Sequence, residues 1–326
     1  MESVKGLRKF FSQKMITLLV LITIVVLVFY SLSGGTYLRI SNIRSILSLM
    51  SVSGLLTLGV GCLIVSGKID LSTGATGTLC GALMALFLQG GIPWPITVVL
   101  CLVIGMVVGA FNAALVNVFG FQPFIATMSV ATVVQGLTFI FLRGQSVVVR
   151  DEFIKTVGSK RILEVIPLSF LIMLICFFIY GLMLSKSRFG RSIYLIGGNQ
   201  QAARLTGLHP VRTSYILFMN SGMLSSLAGM LLAARLNSGT TDGITASQFT
   251  GVTAAMLGGM SFGGGTGSFA GVFIGLLIIT GFNNGLSVLG VLSYWQTFAS
   301  GALLIFALVL DYLNGKRMNR RVAVGA

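Results

Sequence analysis

Residues 95–119 read PITVVLCLVIGMVVGAFNAALVNVF, a run of apolar and small residues without a single charged side chain. About 20 such residues are enough for a helix to cross the hydrocarbon core of a membrane. The rest of the chain is similar: of 326 residues 55% are apolar, only 22 are Lys or Arg and 7 are Asp or Glu, and the mean hydropathy is +0.97. Soluble domains carry about 25% charged residues, so the composition predicts an all-α polytopic membrane protein. The strands of an outer-membrane barrel would alternate lipid-facing and lumen-facing residues, and the sequence lacks that alternation.

Eight stretches are long and apolar enough to be clear spans: 16–33, 46–66, 95–119, 124–142, 165–184, 211–234, 268–290 and 294–312. Two short glycine-interrupted helices, 72–89 and 249–262, could be full crossings, half-helices or re-entrant segments. Lys and Arg concentrate on the cytoplasmic side of short loops. With ten crossings and both the N and C termini cytoplasmic, 14 of the 22 basic residues lie inside. We therefore predict about ten transmembrane helices, with eight as the alternative.

Polar residues are confined to short segments between the spans, so residues 1–326 are predicted to form a single transmembrane domain. The ten-span topology puts three segments in the cytoplasm: 1–15 at the N terminus, a basic loop at 185–210 and a basic tail at 313–326. The net charge of +15 is accordingly interpreted as a topology signal and not as a nucleic-acid-binding surface.

Several classes of function are disfavoured by what the sequence lacks. Neither Gly197-Gly198-Asn199 nor the glycine run 263–267 has the order of a phosphate-binding loop with its Lys, so no ATP site is expected in this polypeptide. One histidine and seven acids offer no nucleophile, base and orienting acid for an enzyme, and the four cysteines have no metal-ligand spacing. No acid or histidine falls well inside a proposed span, which argues against proton coupling. Sodium coupling through carbonyls and hydroxyls stays open.

Glycines recur at intervals of four residues, a spacing that lets helices approach closely. They are Gly77 and Gly81, Gly105 and Gly109, and the series Gly259, Gly263, Gly267, Gly271 and Gly275. Tight packing is the favoured interpretation, and a moving hinge is the alternative. Where glycines run together at 263–265, a helix is expected to stop. A helix that breaks at membrane depth lies against protein or a watery cavity, so this segment points to the pathway.

Uncharged polar and aromatic side chains in or near the spans could line a path for a neutral, hydroxyl-rich solute, although each alone could equally bond helices together. The candidates are Asn112, Gln122, Pro123, Phe124, Gln248, Asn283 and Asn284. Asp70 follows the second span at its inside end and is interpreted as the N-cap of the next helix, where a carboxylate accepts backbone N–H bonds. A role as a gate or a solute contact is the alternative.

Residues 197–207, GGNQQAARLTG, have the signature of a short helix, with Asn199 as N-cap and Gly207 as terminator. On the inside face, such a helix could dock into a partner. Here and elsewhere the chain resembles the permease subunits of bacterial ATP-binding-cassette (ABC) importers for ribose, other sugars and autoinducer-2. The segments that resemble the family are 66–72 (SGKIDLS), 122–127 (QPFIAT), 197–207, 257–259 (LGG) and 283–286 (NNGL). Residues 248–254 lack the two acids of the family's ELDAIAA, which leaves the solute and the contact with a binding protein open.

The resemblance implies a multi-pass protein of the bacterial cytoplasmic membrane that forms the pathway for a small neutral hydroxylated solute, such as a monosaccharide. It implies ABC ATPase subunits that hold ATP and Mg²⁺, a second permease copy, identical or homologous, and an extracytoplasmic solute-binding protein. The ATPase contact is expected at Gly197, Gly198, Asn199, Gln200, Ala202, Ala203, Arg204, Leu205 and Gly207. In this mechanism the helix acts as a lever: Arg204 contributes charge, and Ala202 and Ala203 allow close approach. A stand-alone channel or secondary carrier is the alternative function, and a membrane scaffold is a third.

Overall fold

The computed structural model describes residues 2–244 and 247–324, with side chains described for 15–244 and 247–309. The helices are α1 (Glu2–Leu32), α2 (Ile40–Val65), α3 (Thr73–Gln89), α4 (Trp94–Asn117), α5 (Pro123–Leu142), α6 (Glu152–Ser159), α7 (Leu168–Lys186), α8 (Arg188–Gly198), α9 (Gln200–Leu205), α10 (Pro210–Leu236), α11 (Ser247–Leu257), α12 (Phe269–Val288) and α13 (Ser293–Val324). Two antiparallel pairs of two-residue strands join loops: β1 (Val147–Val148) with β4 (Ser238–Gly239), and β2 (Arg161–Ile162) with β3 (Ile166–Pro167). The predicted all-α class is confirmed. The predicted segments 1–15 and 313–326 fall mostly on residues whose side chains lie outside the described part.

Seven of the described helices are long and apolar enough to cross a membrane, namely α1 from Met15 onward, α2, α4, α5, α7, α10 and α12. They match seven of the eight clear predicted spans. The eighth lies in α13, whose apolar part, Ser293–Val309, is shorter. Helix α2 begins at Ile40, several residues before the predicted start at 46, because its first turns carry polar side chains that an apolar window excludes.

Helices α2 and α10 form the centre of the bundle. Within their most apolar windows, 89% of α2 and 72% of α10 are buried, against 11% in α1, 28% in α4 and 22% in α7. A helix that is apolar all round and buried belongs to a core, whereas exposed apolar faces on outer helices suit lipid. The outer helices therefore form the lipid-facing shell around α2 and α10.

Helix α10 touches α3 and α4 backbone to backbone. A Cβ added at Gly222 would overlap the carbonyl oxygen of Gly105, and one added at Gly229 would overlap that of Gly77. Gly81 and Gly109 likewise lie against the α10 backbone. The predicted close packing at these two glycine pairs is confirmed.

The long series of glycines at intervals of four is not one helical face, so that part of the prediction is wrong. Helix α11 ends at Leu257 and α12 begins at Phe269, which leaves Gly259, Gly263 and Gly267 in the loop 258–268. Helix α11 stops before the predicted run at 263–265 because Gly259 adopts a left-handed backbone with a φ of 91°. The Met260 N–H then donates to the Ala255 carbonyl and caps the end of the helix. The predicted break itself is present.

The two short helices each follow an extended segment that turns back into the bundle. After α2, residues 66–72 run beside α10: Lys68 bonds to Ser214, and Asp70 bonds to Ser221. At about 1.5 Å per residue, α3 therefore begins roughly 17 Å along α10 from Pro210. After α10, the chain enters from the opposite end, and Ile244 N–H donates to Thr78 Oγ1 at 3.1 Å before α11 starts. Broken helices of this kind are typical of transport pathways.

The bundle has two chemically different ends. At one, the coupling end, the end of α2, helices α8 and α9 and the loop 258–268 meet: Gly265 N–H donates to the Val65 carbonyl at 2.8 Å. The opposite end holds the start of α2 and the end of α12, joined by a bond of 2.9 Å from Asn42 Nδ2 to Asn284 Oδ1.

Candidate functional site: the coupling end and the two broken helices

Helix α9 has the ends that the sequence predicted. Asn199 is the N-cap, and its Oδ1 accepts the Ala202 N–H at 2.9 Å. Gly207 has a φ of 81°, and its N–H bonds to the Arg204 carbonyl while Leu208 N–H bonds to the Ala203 carbonyl. Glycine accepts this left-handed backbone without strain, so both capping predictions are confirmed.

One side of α9 is available to a partner and the other is not. Leu205 is 90% exposed, and Gln200, Ala202 and Arg204 are also exposed. Ala203 is 3% exposed, buried against its own chain where α9 packs on α10. The idea that Ala203 offers close approach to a partner is therefore wrong, because on so short a helix it faces inward. An exposed leucine beside an arginine is a typical protein-contact pair.

The end of α8 interlocks with two other loops through glycine backbones. A Cβ at Gly197 would overlap the Val65 carbonyl oxygen and come within 2.7 Å of Gly265 N. One at Gly264 would come within 2.7 Å of the Gly197 carbonyl oxygen and 2.9 Å of Gly67 N. In addition, the Tyr194 hydroxyl donates to the Gly267 carbonyl at 2.6 Å. The end of α8 is therefore in direct contact with both the segment 66–72 and the loop 258–268.

Asp70 is a buried carboxylate deep in the bundle, 1% exposed. Its Oδ1 accepts the Ser72 N–H at 2.9 Å and the Ser72 hydroxyl at 2.7 Å, and its Oδ2 accepts the Ser221 hydroxyl at 2.9 Å. The N-cap of α3 is Ser72, so the assignment of Asp70 as N-cap is wrong by two residues. Asp70 does bond a backbone N–H at this helix start, but it also ties the start of α3 to α10.

The depth of Asp70 also corrects the expectation that every acid lies at the edge of the membrane. Ser221 is near the middle of α10, so its carboxylate partner lies at a similar depth. An ionisable group in such a position is costly and usually functional. Three hydrogen-bond donors compensate for the loss of water around Asp70.

Both broken helices begin beside buried oxygen atoms that have no hydrogen-bond partner among the described residues. Asn112 donates to the Ser72 hydroxyl at 2.7 Å, but its Oδ1 is unpaired, as are the hydroxyls of Thr73 and Thr76. At the start of α11, Gln248 is 6% exposed and its Oε1 is unpaired. Buried acceptors of this kind normally bind a donor, and a water or a solute hydroxyl would supply one.

The remaining pathway candidates separate into two places. Asn284 faces a polar cavity at the opposite end, and Asn283 accepts a bond of 3.0 Å from Ser300 on α13. Gln122, Pro123 and Phe124 begin α5 outside the core, with Gln122 at the N-cap and Phe124 56% exposed. The structure thus brings Asn112 to Asp70 but does not bring all seven candidates together.

Two interactions of the segment 66–72 were missed by the sequence analysis. Thr127, within QPFIAT, accepts the Leu71 N–H at 3.1 Å, so two of the motifs that resemble the family touch. Lys68 Nζ donates to Asn117 Oδ1 at 2.8 Å and to Ser214 Oγ at 2.6 Å. The ten-span topology makes Lys68 one of the 14 inside charges, and nothing local in the sequence indicates its partners.

Replacing Asp70 tests whether this cluster is structural. Asp70→Leu would leave the Ser72 N–H and the Ser221 hydroxyl unpaired, at about 1–3 kcal/mol each, so we expect little folded protein in size-exclusion profiles from detergent. Asp70→Asn keeps an acceptor for Ser72 and should accumulate normally. If Asp70→Leu accumulates like wild type, the cluster has no structural role. If Asp70→Asn folds and transports normally, the negative charge is not needed.

Comparison with known proteins identifies the family. The family described as "Branched-chain amino acid transport system / permease component" matches residues 42–308. The chain belongs to this permease family. The permease is 34% identical over 288 residues to the ribose import permease protein RbsC of Bacillus subtilis (strain 168), covering 88% of this chain and 89% of the relative.

Two further relatives span similar lengths. The probable ABC transporter permease protein YphD of Escherichia coli (strain K12) is 31% identical over 318 residues, 97% of this chain and 95% of its own. The galactose/methyl galactoside import permease protein MglC of Haemophilus influenzae (strain ATCC 51907 / DSM 11121 / KW20 / Rd) is 30% identical over 300 residues. The match covers 85% of this chain and 88% of the relative. No solved structure matches the chain. The resemblance noted from the sequence is confirmed, and the permease is a multi-pass transport subunit of the membrane.

Proposed function

We propose that the permease forms the translocation pathway of an ABC importer for a monosaccharide-like solute, driven by separate ATPase subunits. The relatives named as ribose and galactose import permeases support this solute class. The observation that carries the mechanism is the interlock of Gly197 with Val65 and Gly265, since it joins an exposed docking helix to the core by backbone contacts. ATP and Mg²⁺ would be held by the partner subunits.

Ten crossings are the topology that the helix directions support best. The seven long helices and α13 account for eight, and α3 and α11 with their extended segments add two. Phe29 near the end of α1 packs on Phe282, and Ser300 near the start of α13 bonds to Asn283, so α1 runs away from the coupling end and α13 runs toward it. With the basic loop 185–210 at the coupling end, both termini would be cytoplasmic.

The mechanism follows from the contacts of α8. A force applied to Leu205 and Arg204 by an ATPase reaches α8 through the Asn199 cap. From Gly197 it reaches the segment before α3 and the loop after α11. Both broken helices would then shift together, which would move Asp70, Asn112 and Gln248 relative to one another. A path for a hydroxyl-bearing solute would open beside the unpaired oxygens of Asn112 and Gln248.

The proposed assembly contains two permeases, identical or homologous, and an extracytoplasmic solute-binding protein that delivers the solute to the end opposite α9. Membership of a permease family supports an ATPase partner and a binding protein. A stand-alone channel or secondary carrier remains the competing function, and it would move solute without an ATPase.

A pull-down of tagged permease in mild detergent tests the proposal. We expect an ATPase to copurify with wild type and to fall about tenfold in Leu205→Glu, since burying a charge in an apolar contact costs at least 1.4 kcal/mol. Leu163→Glu is the matched control, because Leu163 is 84% exposed but lies between β2 and β3 at the opposite end. Equal recovery from both variants would contradict docking at α9. No ATPase with wild type, together with solute flux through the permease alone in liposomes, would favour the carrier.

A further inference from the structure

A polar cavity of about 600 Å³ opens at the end opposite the coupling helix. Its walls are the first turns of α2, the last turns of α10 and α12, and strand β2. On α2, Ser41, Arg44, Ser45 and Ser48 follow the i, i+3, i+4, i+7 spacing of one helical face. Small-molecule sites have roughly 300–1,000 Å³, so this volume holds a monosaccharide with room to spare.

Three arginines line the cavity, and no acid among the described residues joins them: Arg44 from α2, Arg161 from β2 and Arg235 from the end of α10. The described side chains form one ion pair, Lys155 with Glu152, which lies elsewhere. None of the three guanidinium groups has a described hydrogen-bond partner, and Arg44 Nε is fully buried and unpaired. The three guanidinium groups thus give the cavity a positive charge that no described acid neutralises, and an anion bound in the cavity would neutralise it.

The cavity also offers groups that recognise hydroxyls. Ser41, Ser45 and Ser48 supply hydroxyl groups. Asn284 supplies a side-chain amide: its Oδ1 already accepts a hydrogen bond from Asn42, and its NH₂ has no partner among the described residues and can donate to a ligand. Topology-setting arginines alone would extend their charged ends into water along the membrane surface. Here they share one concave site with serines.

We propose that this cavity binds the anionic group of an acidic sugar, a carboxylate or a phosphate on a hydroxylated carbon chain. The inference rests on the proposed import function and changes its substrate class from a neutral to an acidic solute. One guanidinium group can donate two parallel hydrogen bonds to two oxygens of a carboxylate or phosphate. The serines and Asn284 would form hydrogen bonds with the hydroxyl groups of the solute. The cavity lies at the end to which solute would be delivered, so it would be the first site that the solute meets.

The test measures binding of gluconate, glucuronate and inorganic phosphate to the full permease in lipid nanodiscs by calorimetry, with glucose as the neutral comparison. We expect at least one anion to saturate a site more tightly than glucose. Arg44→Gln and Arg235→Gln should each raise the Kd for that anion about tenfold, which corresponds to the loss of one charge-assisted hydrogen bond. Arg150→Gln is the matched control, since Arg150 is an exposed arginine outside the cavity that follows β1 at the same end.

Three outcomes would overturn the proposal: no saturable anion binding, equal weakening by Arg150→Gln, or glucose binding as tightly as the anions. If the cavity variants bind anions normally but no longer capture the solute-binding protein, the arginines are a docking site for protein carboxylates. The ATPase pull-down distinguishes a failure of the acidic-solute proposal from a failure of the proposed import function. A permease that recovers its ATPase but binds no anion contradicts only the acidic solute, whereas loss of both contradicts the import function itself.

Discussion

Gly197→Ala is expected to lower ATP-dependent uptake to less than about a tenth of wild type, because interlocked backbones cannot yield to an added methyl group as a flexible side chain can. The new Cβ would overlap the Val65 carbonyl oxygen, the same atom that accepts the Gly265 N–H at 2.8 Å. Helix α8 would have to separate from α2 and from the loop 258–268. The measurement is solute uptake into proteoliposomes that contain the permease, its ATPase and the binding protein.

The neighbouring glycine provides the control for this variant. Gly198→Ala changes the same helix end by the same methyl group, but no described atom lies within 4 Å of its Cβ. Gly198 is helical and is not among the glycines with positive φ, so alanine fits its backbone and Gly198→Ala should transport normally. If ATPase recovery is normal in Gly197→Ala while uptake is lost, the defect lies in transmission and not in docking. Equal uptake by the two variants would contradict the interlock as the path of coupling.

Local signals account for what the sequence could predict. The spans followed from composition, and the ends of α9 followed from Asn199 and Gly207, whose side chain and backbone act within a few residues. That Gly77 packs closely on another helix was also predictable, since the spacing of small residues is local, whereas its partner α10 was not. These features depend on neighbours along the chain, and the structure confirms the ends of α9 and seven of the eight clear spans.

Features that depend on distant segments could not be predicted. Asp70 lies close after Gly67 and Lys68, residues typical of a surface loop, and only its bond to Ser221, 151 positions away, shows its depth. The ten-span topology places Arg44 among the outside charges because the apolar window 46–66 begins after it, whereas the helix begins at Ile40 and places Arg44 in the cavity wall. The inward face of Ala203 depends on where α9 lies against α10. In each case the local residue types favour the solvent-exposed interpretation.

Gly229→Ala is expected to destabilise the permease by about 3 kcal/mol or more, at the upper end of the cost of overpacking. Its Cβ would overlap the Gly77 carbonyl oxygen. A Cβ added at Gly77 would in turn lie 2.7 Å from the Ser225 carbonyl oxygen, so the two helices are in close contact from both sides. The contact joins two helix backbones, so α3 and α10 would have to move apart. That movement would also pull Asp70 from Ser221, because Asp70 is tied to the start of α3 through Ser72.

Thermal unfolding in detergent, followed by size-exclusion profiles after heating, measures this effect. Gly136→Ala in α5 and Gly181→Ala in α7 are the controls, since no described atom lies within 4 Å of a Cβ at either position and both glycines lie inside helices. These variants should be as stable as wild type or slightly more stable, because alanine favours the helix by about 1 kcal/mol. If Gly229→Ala unfolds at the same temperature as the controls, α3 and α10 can separate without cost. The position of the broken helix α3 would then depend on its hydrogen bonds, including those of Asp70 with Ser72 and Ser221.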